Sequence, residues 1–130
     1  MQTSFRLFLA LLLICVSFTL GCGGKTTVTG QITFPNGEPL TTGSIVFEAD
    51  GYQAYSRIDQ NGFYALGEIT PGDGVRPGEY KIKILATTGG GSDGEPLVNH
   101  VAPKYGNVAM SELTCTVKGK MVHNITVEKP

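Results

Sequence analysis

The 130-residue sequence has no tryptophan, two histidines, three cysteines and only 16% charged residues. Each scarcity excludes something. Ten Lys and Arg against eleven Asp and Glu leave the chain near neutral, so no basic face is available for a nucleic acid. An acidic disordered tail is equally excluded, because 41% of the residues are hydrophobic. The two histidines, His100 and His123, belong to no H-E-x-x-H or Cys/His cluster, so zinc has no ligand set. A Ser-His-Asp set has no nucleophile elbow to occupy. After residue 22 no apolar stripe at i, i+3, i+4 survives the glycines and β-branched residues, so no helix is predicted. The sequence therefore predicts no enzyme, no cofactor and no metal.

Long hydrophobic runs are also scarce: there is one. Met1 to Arg6 carries a single charged side chain, and Leu7 to Leu20 carries none. A helix of that second stretch would rise only about 21 Å, short of a bilayer core of about 30 Å. It reads as the core of a signal peptide rather than a membrane-spanning helix. Thr19-Leu20-Gly21-Cys22 follows at once, a small residue directly before a cysteine. This resembles the bacterial lipobox, with Thr19 where leucine is commonest. The resemblance implies a diacylglycerol on the Cys22 sulfur, cleavage before Cys22, and acylation of the new amine. Residues 1–21 are then a signal peptide and residues 22–26 a lipidated tether. Residues 27–130 form the domain. Two or three acyl chains on one residue anchor stably. Gly23 in place of aspartate favours the outer membrane over the inner one. Cys15 leaves with the signal, so Cys115 stays alone and no intramolecular disulfide is available. Its position among alternating apolar residues predicts a buried thiol.

Glycine is what the chain has in abundance: 18 residues, with seven prolines and no collagen period. Between these breakers run period-two segments. Val28, Ile32 and Phe34 share one face, with Thr27, Thr29, Gln31 and Thr33 on the other. Ile45 and Phe47 alternate with Ser44, Val46 and Glu48. A weaker strand runs from Ala54 to Ile58. Tyr64 and Leu66 follow an Asp59-Gln60-Asn61-Gly62 turn, where Asn-Gly fits a type I′ hairpin. Gly78 to Ile84 is the clearest strand, with Tyr80, Ile82 and Ile84 inward. Thr87 to Gly94 reads as a mobile loop. Residues 101–111 read as irregular, anchored by Pro103 and Tyr105. Leu113, Cys115 and Val117 make a sixth strand, and Ile125 and Val127 a last one. Seven short strands with turns between them predict an all-β, seven-stranded antiparallel sandwich.

Three motifs in order carry a family resemblance. They are Val28-Thr29-Gly30-Gln31-Ile32 with Asn36-Gly37-Glu38-Pro39-Leu40 and Gly43-Ser44-Ile45-Val46-Phe47, then Asp59 through Tyr64, then Pro77-Gly78-Glu79-Tyr80-Lys81-Ile82. The tail from Pro103-Lys104-Tyr105 through Ser111-Glu112-Leu113-Thr114 to Val127 fits them. Together they resemble the carboxypeptidase-regulatory-like domains of small bacterial envelope lipoproteins. The resemblance implies a transthyretin-like (prealbumin-like), immunoglobulin-like sandwich that accompanies peptidases without being one. Transthyretin-like hydroxyisourate hydrolases share that sandwich but need a C-terminal Tyr-Arg-Gly-Ser. This chain ends Val127-Glu128-Lys129-Pro130. Collagen-adhesin repeats of the same type form a Lys–Asn isopeptide bond, for which Lys25 and Asn124 are weighed. The inward face after Tyr80 supplies no acid to promote it.

Tyr52, Tyr55 and Phe63 are the candidate ligand-binding residues, an aromatic trio able to stack on a sugar or a partner. The expectation is a membrane-anchored, non-enzymatic envelope module held by lipid on Cys22, with an envelope protein or glycan as partner. The alternative is a glycan- or small-ligand-binding module.

Overall fold

The strand order begins with β1 (Val28–Thr33), whose residues alternate buried and half-buried as the sequence pattern dictates. The structure is a computed structural model that describes residues 24–91 and 93–130. The signal segment, Cys22 and Gly23 lie outside the described residues. Beyond β1 come β2 (Ser44–Ala49), β3 (Tyr52–Arg57), β4 (Phe63–Ala65) and β5 (Gly78–Leu85). A short ribbon follows, β6 (Thr87–Thr88) against β7 (Val98–Asn99). The last strands are β8 (Thr114–Val117), β9 (Met121–Val122) and β10 (Ile125–Thr126).

Two sheets make the sandwich. In the second, the order β3-β2-β5-β8 is antiparallel throughout. In the first, β1 is central. It pairs antiparallel with β4 on one side and parallel with β9 and β10 on the other. The fold is an all-β sandwich, as the turn-punctuated alternation predicts. Each of the seven expected strands is present in its place. Two features depart from the expected seven-stranded, wholly antiparallel arrangement. The last strand is split in two and lies parallel to the first, and the glycine-rich stretch contributes the β6–β7 ribbon.

The split has a local cause. Gly30 in β1 lies so close to the next strand that a Cβ there would sit 1.9 Å from the His123 carbonyl oxygen. The Tyr64 hydroxyl donates to that same oxygen. Across the gap, the Asn124 side chain accepts the Gln31 N–H at 3.0 Å, replacing a strand-to-strand bond. Gly30 is thus a point of close backbone approach, as a glycine inside a strand predicts.

The core lies between the sheets. Ile32, Ile45, Phe47, Ile82, Ile84 and Val127 are almost wholly buried. Each such side chain contributes about 1.5–3 kcal/mol relative to exposure. Phe47 is the centre of an aromatic group, with Tyr80 at 5.8 Å and Tyr64 at 6.3 Å between ring centroids. Val46 is buried although it faces outward on β2. Register places it between Tyr55 and Lys83, whose long side chains can cover it.

Three local expectations change. Asn61 does not adopt positive φ, so the 59–62 turn is not type I′; among the described residues the only positive-φ non-glycine is Glu112. Asp59 supplies the reason: its carboxylate accepts from Asn61 N–H at 2.8 Å and Phe63 N–H at 2.9 Å, leaving only Gly62 left-handed. In the 101–111 segment Tyr105 is buried but Pro103 is exposed. That segment is also not wholly irregular. It holds a 3-10 turn at Pro103–Gly106 and a single α-helical turn at Val108–Ser111.

Candidate functional site

The aromatic trio is not one platform. Side chains alternate along a strand, so Tyr52 and Tyr55, three residues apart on β3, point to opposite faces. Tyr52 turns toward the core, its ring edge-on to Tyr80 at 5.7 Å. Its hydroxyl donates to the Arg76 carbonyl at 3.1 Å, and the Arg76 guanidinium lies 4.7 Å from its ring centre. Burial, followed by the nearby Glu68 carboxylate, holds this phenol above its ordinary pKa. Tyr55 lies on the outer face of the second sheet and donates to the Ile69 carbonyl at 2.9 Å. Phe63 is half exposed on β4, in the other sheet and opposite Gln31. Two of the three candidates therefore hold a loop in place, and the third is remote from both in the pairing order.

The outer face of the second sheet has a different concavity. A groove of about 660 Å³ runs between the β2 end and β5 and β8, with Glu48, Asp50, Glu79, Lys81, Thr114 and Thr116 around it. Glu48 is held there by Lys83 Nζ at 2.6 Å and Gln53 Nε2 at 2.9 Å.

The end of the sandwich where the described chain enters is tightly built. Thr26 and Val75 exchange both backbone hydrogen bonds, at 2.7 and 2.9 Å. Lys25 Nζ lies 3.4 Å from Glu68 and 3.7 Å from Asp73. Lys25 and Thr26, expected in the tether, thus belong to the fold. Asp73 also organises the loop that meets them. Its carboxylate accepts from the backbone N–H groups of Glu68, Ile69 and Thr70. Desolvation pushes this carboxyl up, but the Thr70, Glu68 and Ile69 amides and then Lys25 outweigh it and hold it below the usual range. Glu68 is mostly buried, with Arg76 Nε 3.0 Å from its Oε1. Arg76 Nη2 donates to the other carboxylate oxygen, Oε2, at 3.4 Å, while Oε1 is held by charge alone. No local pattern marks these four residues in the sequence, because the chain from 68 to 76 meets residue 25 only through folding.

The remaining candidates are placed apart. His100 Nε2 lies 2.8 Å from Thr88 Oγ1 on the β6–β7 ribbon. His123 lies at the break in the last strand, edge-on to Phe47 at 6.3 Å. Lys25 is engaged by Glu68 and Asp73 while Asn124 is engaged by Gln31, so the Lys–Asn pair is not assembled. Cys115 is buried, with Met121 Sδ 3.9 Å from its sulfur, and burial pushes its thiol up. A protonated buried thiol is a weak nucleophile. Among the described residues no three His, Cys, Asp or Glu side chains converge as metal ligands. No described helix is long and apolar enough to cross a membrane.

No protein-family model matches the chain, and no curated protein matches it. Solved structures similar to the chain include two from bacteria. One is a DUF3823 family protein from Bacteroides ovatus ATCC 8483, with 20% identity and a TM-score of 0.45 over 81% of this chain. The other is BcpA*(D312A), the major pilin subunit of Bacillus cereus, with 12% identity and a TM-score of 0.49 over 82% of this chain. The chain spans 45% of the first and 30% of the second. The sandwich itself stands on the strand pairings described above.

Proposed function

We propose that this chain is a membrane-anchored envelope lipoprotein whose sandwich is a non-enzymatic structural or interaction module. One observation carries the reading: the uncharged run from Leu7 to Leu20 ends at Gly21-Cys22, and the fold begins almost at once, at Lys25. The three motifs resembling carboxypeptidase-regulatory-like domains support the same reading, since such domains serve as accessory modules. Gly23 favours the outer membrane.

Membrane fractionation of cells making wild-type and Cys22→Ala protein tests the anchor. Wild-type protein should be in the membrane pellet, carry fed alkynyl fatty acid, and have lost residues 1–21 by intact mass. Cys22→Ala should carry no label. Equal labelling and retention of both proteins would overturn lipidation at Cys22.

The second reading, a glycan- or small-ligand-binding module, is favoured by the outer groove rather than by the split trio. Titration with envelope polysaccharides should then saturate, and Lys81→Ala should weaken it more than Tyr52→Ala does.

A further inference from the structure

The anchor and the fold are separated by very little chain. From Cys22 to Lys25 there are three Cα–Cα steps of 3.80 Å, so the reach is at most about 11 Å. Lys25 is fixed by two carboxylates, and Thr26 is already in a strand-like pairing. A lipid on Cys22 therefore cannot leave the sandwich to tumble at a distance. One end of it must lie against the membrane.

The strand registers say which surfaces share that end. Thr26 pairs with Val75, and Met121 N–H donates to the Thr27 carbonyl at 3.0 Å. The 67–76 loop and the Lys118-Gly119-Lys120 turn therefore flank the entering chain on either side. The Asp50–Gly51 turn joins them, because Tyr52 beside it donates to the Arg76 carbonyl. The 67–76 loop has an uncharged tip, Ile69-Thr70-Pro71-Gly72, all exposed. Ile69 is 78% exposed, the most exposed large hydrophobic among the described residues. Its backbone is pinned by the Asp73 carboxylate and by Tyr55, so the side chain is presented rather than dangling. Glu68 and Asp73, the acids of this loop, are matched by Lys25 and Arg76. Lys118 and Lys120 are exposed and have no ion pair among the described residues.

We propose that this end of the sandwich is a bilayer-apposed face, with Ile69 in the headgroup layer and Lys118 and Lys120 against lipid phosphates. The proposal rests on lipidation at Cys22, and it names the occupant as the bilayer that holds that lipid. An apolar side chain at the headgroup boundary with lysines on the same face is the usual chemistry of an interfacial contact. Among the described residues of the three flanking turns, the exposed Asp50 is the one acid without an ion pair. The opposite end, with the 35–39 turn and the β6–β7 ribbon, faces away. Thr33, where β1 ends before that turn, lies five strand steps, or about 17 Å, along β1 from Val28.

The chain lacks tryptophan, so a single introduced one is an unambiguous reporter. Ile69→Trp replaces an exposed side chain, and Gly119→Trp meets no atom within 4 Å of its Cβ. Asn36→Trp reports the far end and controls for the intrinsic preference of indole for interfaces. Each full-length lipidated protein is reconstituted into phosphatidylethanolamine/phosphatidylglycerol vesicles with brominated or plain acyl chains. Flotation is measured first, then indole emission. Ile69→Trp and Gly119→Trp should each lose about half or more of their emission to bromines, as expected for rings within 5–10 Å of the headgroup/acyl boundary. Asn36→Trp should lose none. Floating protein with quenching at neither position 69 nor 119, at only one of them, or equally at all three would overturn the apposed face and leave the anchor standing. Protein that fails to float would overturn the anchor, and the face with it.

Discussion

Gly30 is the residue on which the first sheet depends. Its missing Cβ lets the His123 carbonyl approach β1, where Tyr64 donates to it. A methyl group there meets backbone, which cannot swing aside as the end of a side chain can. Gly30→Ala should cost about 3 kcal/mol or more, at the upper end of what over-packing with a backbone shift costs. Gly119→Ala, with open space around it, should stay within about 0.5 kcal/mol. Urea midpoints of the two variants check the contrast, and near-equal midpoints would mean the strands part easily at Gly30. The same site has a pH signature. Burial holds the His123 imidazole below its ordinary pKa. The unfolded chain takes up its proton near pH 6.5, where the folded chain still resists it. Stability is therefore complete above that pH and declines as pH falls through 6.5 toward the folded value. His123→Gln should flatten the fall in urea midpoint between pH 7.5 and 5.5. An unchanged slope would assign it to other groups.

At the scale of elements, the period-two strands are the legible ones. β1 and β5 have mainly polar residues on one face and, apart from Gly30 and Gly78, branched or aromatic ones on the other, so pattern and burial coincide. The β6–β7 ribbon is illegible for the opposite reason: Thr87 and Thr88 are both exposed and followed by glycines, leaving no alternation to read. The 108–111 turn is too short for a helical period. Its start is marked instead by Asn107, whose side chain accepts the Ala109 N–H at 2.8 Å. Its end carries Glu112 at φ 59°, a left-handed conformation that glycine adopts without penalty. Glu112→Gly should therefore be nearly neutral or stabilising by about 0.5–1 kcal/mol, the relief of backbone strain outweighing the extra freedom of the unfolded chain. A thermal melt that drops by several degrees would show that the Glu112 side chain holds this turn itself.

At the scale of the whole molecule, the sequence indicates the sandwich but not which loops gather where the described chain enters it. Tyr52 and Tyr55 are readable as opposite-facing from their spacing alone. The meeting of Lys25 with Glu68 and Asp73 is not, because it depends on how the sheets close. The parallel pairing of the last strand with the first is hidden for the same reason, and it has a mechanical consequence. The chain enters β1 at the end built around Lys25. It leaves β10 at the far end, where Lys129 pairs with Glu38 at 3.2 Å. A load between an anchor near residue 24 and a partner held at residue 130 pulls β1 and the last strands in opposite directions along their length. The bonds from His123 N–H to Thr29 O, at 2.8 Å, and from Val127 N–H to Thr33 O, at 2.9 Å, then bear it together. A load between residues 36 and 130, both at the far end, opens the same ladder one bond at a time. Single-molecule pulling along these two axes should give a clearly higher unfolding force for 24–130 than for 36–130, because forced unfolding reads the barrier along the loaded path. Equal forces would mean that β1 and the last strands part before the ladder is loaded in shear.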